Sequence, residues 1–156
     1  MSIPFENPIP VLDKFKGWYA QTTAMETQVA NGADYEWNDP KINYLGMFDN
    51  GSSYGSKVTI NESGTYYIDC LVNGYGNPLL THLNRLRGGT TDTLAIGYGN
   101  NSGLIVYIQA IINGYFELEA GDVITIQNAS GGAAQFRGNR EGNTWWAGKL
   151  VATVNA

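Results

Sequence analysis

Clusters of Gly, Asn, Asp and Ser interrupt this chain so often that a helix of ordinary length has nowhere to form. The 156 residues include 20 Gly and 16 Asn. Asn31-Gly32, Asn38-Asp39-Pro40, Asp49-Asn50-Gly51-Ser52-Ser53, Asn61-Glu62-Ser63-Gly64, Gly99-Asn100-Asn101-Ser102-Gly103 and Gly131-Gly132 are all turn or loop signals. Between them lie short runs rich in β-branched and aromatic residues, the composition that suits a pleated, half-buried surface. Strands are predicted over Trp18–Val29, Ile42–Phe48, Lys57–Ile60, Thr65–Val72, Leu79–Leu86, Thr93–Tyr98, Leu104–Ile112, Tyr115–Glu119, Val123–Gln127 and Trp145–Val154. Leu104–Ile112 is apolar enough for a buried helix, but Ile105, Val106, Ile108, Ile111 and Ile112 favour a strand. Many short strands with regularly spaced turns predict an antiparallel, all-β jelly-roll sandwich.

Residues 1–16 read differently, as an extended, Pro-rich N-terminal arm preceding a domain over 17–156. Pro4, Pro8 and Pro10 exclude a helix and a complete strand ladder. Ile3, Phe5, Ile9 and Val11 give this polyproline-like segment an apolar character. Two readings are open: a tail folded over its own core, or an arm docking on a neighbouring subunit.

Charge narrows the partners. Nine Lys and Arg against 14 Asp and Glu leave a formal charge of −5, so the chain lacks the cations from which nucleic-acid affinity is built. No apolar run is long enough for a membrane span. No cationic stretch followed by an apolar core marks Met1–Glu6 as the start of a signal peptide, and synthesis in a reducing cytoplasm is the expectation. The single Cys70 lies in an apolar run and reads as a small core residue.

A family resemblance rests on ordered motifs. Phe48-Asp49-Asn50 comes first, then Val58-Thr59-Ile60-Asn61-Glu62-Ser63-Gly64-Thr65-Tyr66-Tyr67-Ile68. A long apolar strand and Phe116-Glu117-Leu118-Glu119-Ala120-Gly121-Asp122-Val123-Ile124-Thr125-Ile126 follow, and Thr144-Trp145-Trp146-Ala147-Gly148-Lys149-Leu150-Val151 closes the series. This pattern resembles the jelly roll of tumour necrosis factor and the complement globular head. Gly64 is expected to permit a tight turn into its strand, Gly121 to take positive φ at a corner, and Gly148 to allow close strand approach. The resemblance implies a homotrimer with an aromatic-rich surface near its axis. An acidic, Asn/Gly-rich jelly roll without a stalk also resembles the capsid decoration (cement) proteins of tailed bacteriophages. That likeness implies a non-enzymatic virion protein on the capsid surface, bound to the major capsid protein across capsomer junctions, with Ile3, Phe5, Ile9 and Val11 as the docking arm.

No catalytic constellation emerges from the residues, and no cofactor or metal is expected. His82 is the single histidine, on an alternating run beside Thr81, where a surface or interface role fits better than a nucleophile–base pair. Glu117 and Glu119 share a strand face, and Asp34, Glu36 and Asp39 cluster without a calcium-loop spacing. The rival to an assembly role is carbohydrate or receptor binding, as in a tail-fibre tip, through aromatics that stack on sugar rings. Trp145, Trp146, Trp37 and Tyr67 are candidates for either a trimer interface or a sugar platform. Adjacent Trp145 and Trp146 on one strand must point to opposite faces.

Overall fold

The computed structural model describes residues 15–22, 27–49, 55–75, 78–100, 108–136 and 144–153. Eleven strands appear among them: β1 Gly17–Gln21, β2 Thr27–Val29, β3 Asp39–Asn43, β4 Lys57–Thr59, β5 Gly64–Tyr75, β6 Leu79–Arg87, β7 Thr90–Gly99, β8 Ile108–Leu118, β9 Val123–Asn128, β10 Ala134–Phe136 and β11 Trp145–Thr153. They form two antiparallel sheets. In the larger, the order β2-β10-β5-β11-β1-β3 is extended by β8, which pairs with the remaining edge of β5. The smaller runs β4-β9-β6-β7. This is the jelly-roll sandwich expected.

Period-two alternation decides which side chains meet in the middle. Tyr66, Ile68, Cys70 and Val72 of β5 point inward, as do Trp146 of β11, Trp18 and Ala20 of β1, and Ile124 and Ile126 of β9. Aromatic rings dominate one end of this core. Trp18 meets Trp146 edge-on at 5.6 Å and Tyr66 at 6.2 Å, while Trp37 and Phe48 approach Trp146 at 5.9 and 6.2 Å. Offset and edge-on contacts of this kind add to the area the rings bury. The Tyr66 hydroxyl donates to the Glu62 carbonyl at 2.8 Å. Burial, with the Glu62 and Tyr44 charges behind it, pushes its pKa up to about 12.

Several predicted boundaries moved. Asn38-Asp39-Pro40 is not a turn: Asp39 and Pro40 begin β3, an edge strand, the position in a sheet where proline is tolerated. Ile42–Phe48 is not one strand, because β3 stops at Asn43 and a single 3-10 turn over Tyr44–Gly46 follows. The Asn43 side chain clamps that turn, donating to the Phe48 carbonyl and accepting from the Phe48 N–H. Trp18–Val29 divides into β1 and β2, and the loop opened by Gly131-Gly132 contains β10. Thr93–Tyr98 lengthens to β7, joined to β6 through Gly88-Gly89, both at positive φ. The segments ending at Ile112 and starting at Tyr115 are one strand, since β8 pairs with β5 continuously from Ile108 to Leu118, through Gly114.

The three family glycines have different reasons. Gly121 takes φ 96° at the β8–β9 corner, where the Asp122 carboxylate accepts the Glu119 N–H at 2.9 Å. Gly64 has no such dihedral; a Cβ there would collide with the Ala152 carbonyl on β11. At Gly148 the obstacle is the Trp18 ring, which lies over the bare backbone.

Candidate assembly interface

The inward phase of β5, β8 and β11 fixes the outward one. Tyr67, Asp69 and Leu71 of β5 stand beside Lys149, Ala147 and Trp145 of β11 on one flank and Tyr115, Asn113 and Ile111 of β8 on the other. Tyr19 of β1 adjoins Ala147. The rings assemble in pairs, Tyr19 with Trp145 at 6.3 Å and Tyr67 with Tyr115 at 5.2 Å. Phe15, Tyr67 and Trp145 wall a depression of about 230 Å³ over Ala147 and Gly148, with Asp69 and Lys149 at its rim. Desolvation holds the Asp69 carboxyl above its ordinary value, against an opposing hydrogen bond from the Cys70 backbone. Much of the apolar surface is in water: Tyr115 is 70% exposed, Ile111 48% and Phe15 38%.

A second apolar surface lies at one end of the sandwich. β7 and β8 are edges of different sheets, yet they run close together because Gly97 and Gly99 leave no side chain between them and the Ile111 and Gln109 carbonyls. On β7, Ile96 and Tyr98 point out from the smaller sheet, each 58% exposed. Ile111 and Tyr115 emerge from the larger sheet at the same end. Apolar side chains thus flank both sides of this closed end.

The predicted site residues divide sharply. Tyr67 and Trp145 belong to the outer aromatic face. Trp37 and Trp146 do not: both are fully buried in the core of a single chain, so neither serves as a sugar platform or a subunit contact. Alternation turned Trp146 inward when it turned Trp145 out, and Trp37 is held by a two-way backbone bridge with Gly55. Ile3, Phe5, Ile9 and Val11 lie outside the described residues. Sequence reasoning missed Tyr19, Leu71, Ile96, Tyr98, Ile111 and Tyr115. Their signal was parity, legible only once the inward residue of each strand is known.

Other candidate chemistry is dispersed. Glu117 accepts the Thr65 hydroxyl, whereas Glu119 turns to Arg87 at 2.7 Å. Asp39 accepts from Gln21 at 2.7 Å and pairs with Lys41 at 2.8 Å, while Asp34 bridges to Gln127 on β9. Among the described residues no three His, Cys, Asp or Glu side chains gather as a ligand set, and no helix is long and apolar enough to cross a membrane. Cys70 is a buried free thiol whose pKa burial pushes up, helped by the Asp69 charge. His82 is half-buried on β6, opposite Ile96 and Gln127.

Two stacked antiparallel sheets with an aromatic outer face define this chain as a jelly roll of the kind shared by tumour necrosis factor and the complement globular head. Solved structures agree. The Eiger tumour necrosis factor of S. frugiperda superposes with a TM-score of 0.74 at 14% identity, over 91% of this chain and 96% of that one. Murine APRIL at pH 5.0 gives 0.69 at 16% identity, over 88% and 100%. The zebrafish complement 1qA globular domain gives 0.66 at 16% identity, over 88% and 98%. No family model matches the sequence, and no curated protein matches it either. The likeness is one of fold.

Proposed function

We propose that this protein is a non-enzymatic homotrimer that works by binding surface alone, as a decoration protein on the capsid of a tailed bacteriophage. The observation that carries the assembly reading is the pair of apolar surfaces: a face built on β1, β5, β8 and β11, and a ridge at the β7–β8 end. The two surfaces share the β8 residues Ile111 and Tyr115 but otherwise differ, so a copy seating its ridge on the face of the next makes a heterologous contact, which gives a ring where the rotation closes. Aromatic anchors are the side chains interfaces favour. The shared fold with tumour necrosis factor and the complement head supports three as the closing number.

The capsid reading is supported by the acidic, Asn/Gly-rich composition and by the Pro-spaced apolar segment at residues 1–16. In this reading the virion surface is the location and the major capsid protein the partner. Trimers clamp capsomer junctions and oppose the pressure of packaged DNA simply by favouring the assembled shell.

Sedimentation at two concentrations tests the assembly. Three times 17.0 kDa is the expected mass, with Tyr115→Arg and Trp145→Arg shifting it toward a single folded chain. A monomer at both concentrations, or variants that stay trimeric, would refute the interface. Co-sedimentation with empty shells of the phage's major capsid protein tests the role, with binding expected for the full chain and lost on deletion of residues 1–16. Equal binding by the truncated trimer would remove the docking arm, and no binding by either would remove the capsid role.

A further inference from the structure

The smaller sheet carries a hollow of a different chemistry on its own outer surface. β9 has one edge shared by two segments. β4 pairs along it up to Lys57 opposite Thr125, and the chain around Asp34 takes over at Gln127. At that handover a depression of about 180 Å³ opens, lined by Asp34, Lys57, Asn84, Thr91, Thr125 and Gln127 above Leu86 and Val123.

Its polar groups are locked before any ligand arrives. Thr93 Oγ1 donates to Asn84 Oδ1 at 2.9 Å, Asn84 Nδ2 to Gln127 Oε1 at 3.2 Å, and Gln127 Nε2 to the Gly32 carbonyl at 2.9 Å. The Asp34 side chain is bonded to Thr125 and lies in the field of Lys57. These lower its pKa, but desolvation outweighs them and keeps it above the ordinary value. Among the described residues each amide spends one N–H and keeps a second, and each amide oxygen keeps a lone pair. The rim therefore offers fixed donors and acceptors side by side. One carboxylate and one ammonium cancel in charge, so nothing here favours an ion.

We infer that this hollow is a binding site for a single neutral sugar ring, whose hydroxyls both donate and accept while its C–H face rests on Leu86 and Val123. Each hydroxyl suits a rim where donors and acceptors alternate, which a purely donating or accepting ligand does not. The volume lies below the ~300–1,000 Å³ of clefts for drug-sized ligands, which limits the occupant to one ring. The site owes nothing to the tryptophans considered for sugar stacking, and it lies on the opposite sheet from the aromatic face. Of its lining only Thr91 lies on β7, five residues from Ile96, the nearer of the two ridge residues on that strand.

The test is a titration of the full chain with glucose, galactose, mannose and N-acetylglucosamine, followed by amide chemical shifts. Saturable shifts at Asn84, Thr91, Thr125 and Gln127 in the millimolar range are expected for at least one of them. Thr91→Phe, which fills the hollow from an exposed position, should abolish the shifts with the fold intact. Asn84→Ala should weaken binding at least tenfold, and Thr27→Ala should change nothing. Glycine, as a zwitterionic probe, should leave the amides unmoved. The inference falls if no sugar shifts these amides, if the shifts survive Thr91→Phe, if they centre on Tyr67 and Trp145, or if only glycine binds. Because sedimentation reads the trimer separately, failure here leaves the assembly reading untouched.

Discussion

Adding one methyl group at Gly148 tests how the aromatic core is put together. Gly148 pairs with Trp18 across the β1–β11 ladder, and a Cβ there would land among the indole carbons Cη2, Cζ2 and Cζ3. The indole has nowhere to retreat, since it is fully buried and held between Tyr66 and Trp146. Over-packing of a filled core costs about 1–3 kcal/mol, occasionally more. A clash with a boxed ring belongs at the upper end, so Gly148→Ala should lose about 3 kcal/mol. For a domain of this size that lowers Tm by about 6–12 °C. Trp18→Leu alone should also cost about 3 kcal/mol through the cavity it leaves, but it removes the obstacle. In that background Gly148→Ala should add no more than about 0.5 kcal/mol. Urea unfolding followed by far-UV circular dichroism, at one fixed protein concentration, reads all four corners of the cycle. If the two losses simply add, or Gly148→Ala unfolds like the parent, the assignment of this glycine to indole packing is wrong.

Three further outcomes follow from individual contacts. Asp122 is buried and bound bidentately by Arg87 at 2.6 and 2.7 Å. Burial alone would raise its pKa, but the Arg87 hydrogen bonds, the Glu119 N–H and the arginine charges lower it. The stability it confers is therefore full above the unfolded carboxylate value near ~3.9 and lost as pH falls through the lower folded value. Asp122→Ala should cost about 1–3 kcal/mol at neutral pH and flatten that acid limb of a thermal-melt series; an unchanged limb would refute the assignment. Tyr66 titrates higher when folded, so its contribution is intact below ~10, the unfolded phenol value, and is lost as pH rises toward 12. Tyr66→Phe should reduce this alkaline loss, and an identical pH profile would count against it. Leu45 sits at φ 50° and is 72% exposed, so Leu45→Gly should gain about 1 kcal/mol by relieving left-handed strain. Destabilisation in urea would show that the side chain has a partner the fold depends on.

Turn chemistry and β-branched runs made the sandwich legible because both act locally. Gly121-Asp122 could be placed at a corner from two letters, since positive φ and a short carboxylate are needs of the turn itself. The opposite faces of Trp145 and Trp146 followed from the pleat. Which of the two faces the core did not, because parity is absolute only within a strand and its phase is set by what packs across the sandwich. For the same reason Trp37 looked as available as Tyr67, and Ile111 and Tyr115 were read as strand residues with no outward role. Gly114 looked like a break, yet an eleven-pair ladder with β5 supplies enough bonds to carry β8 through it. The hollow at Asp34 and Lys57 is the extreme case. Its residues come from segments far apart in the chain, and only the handover of one edge of β9 brings them together.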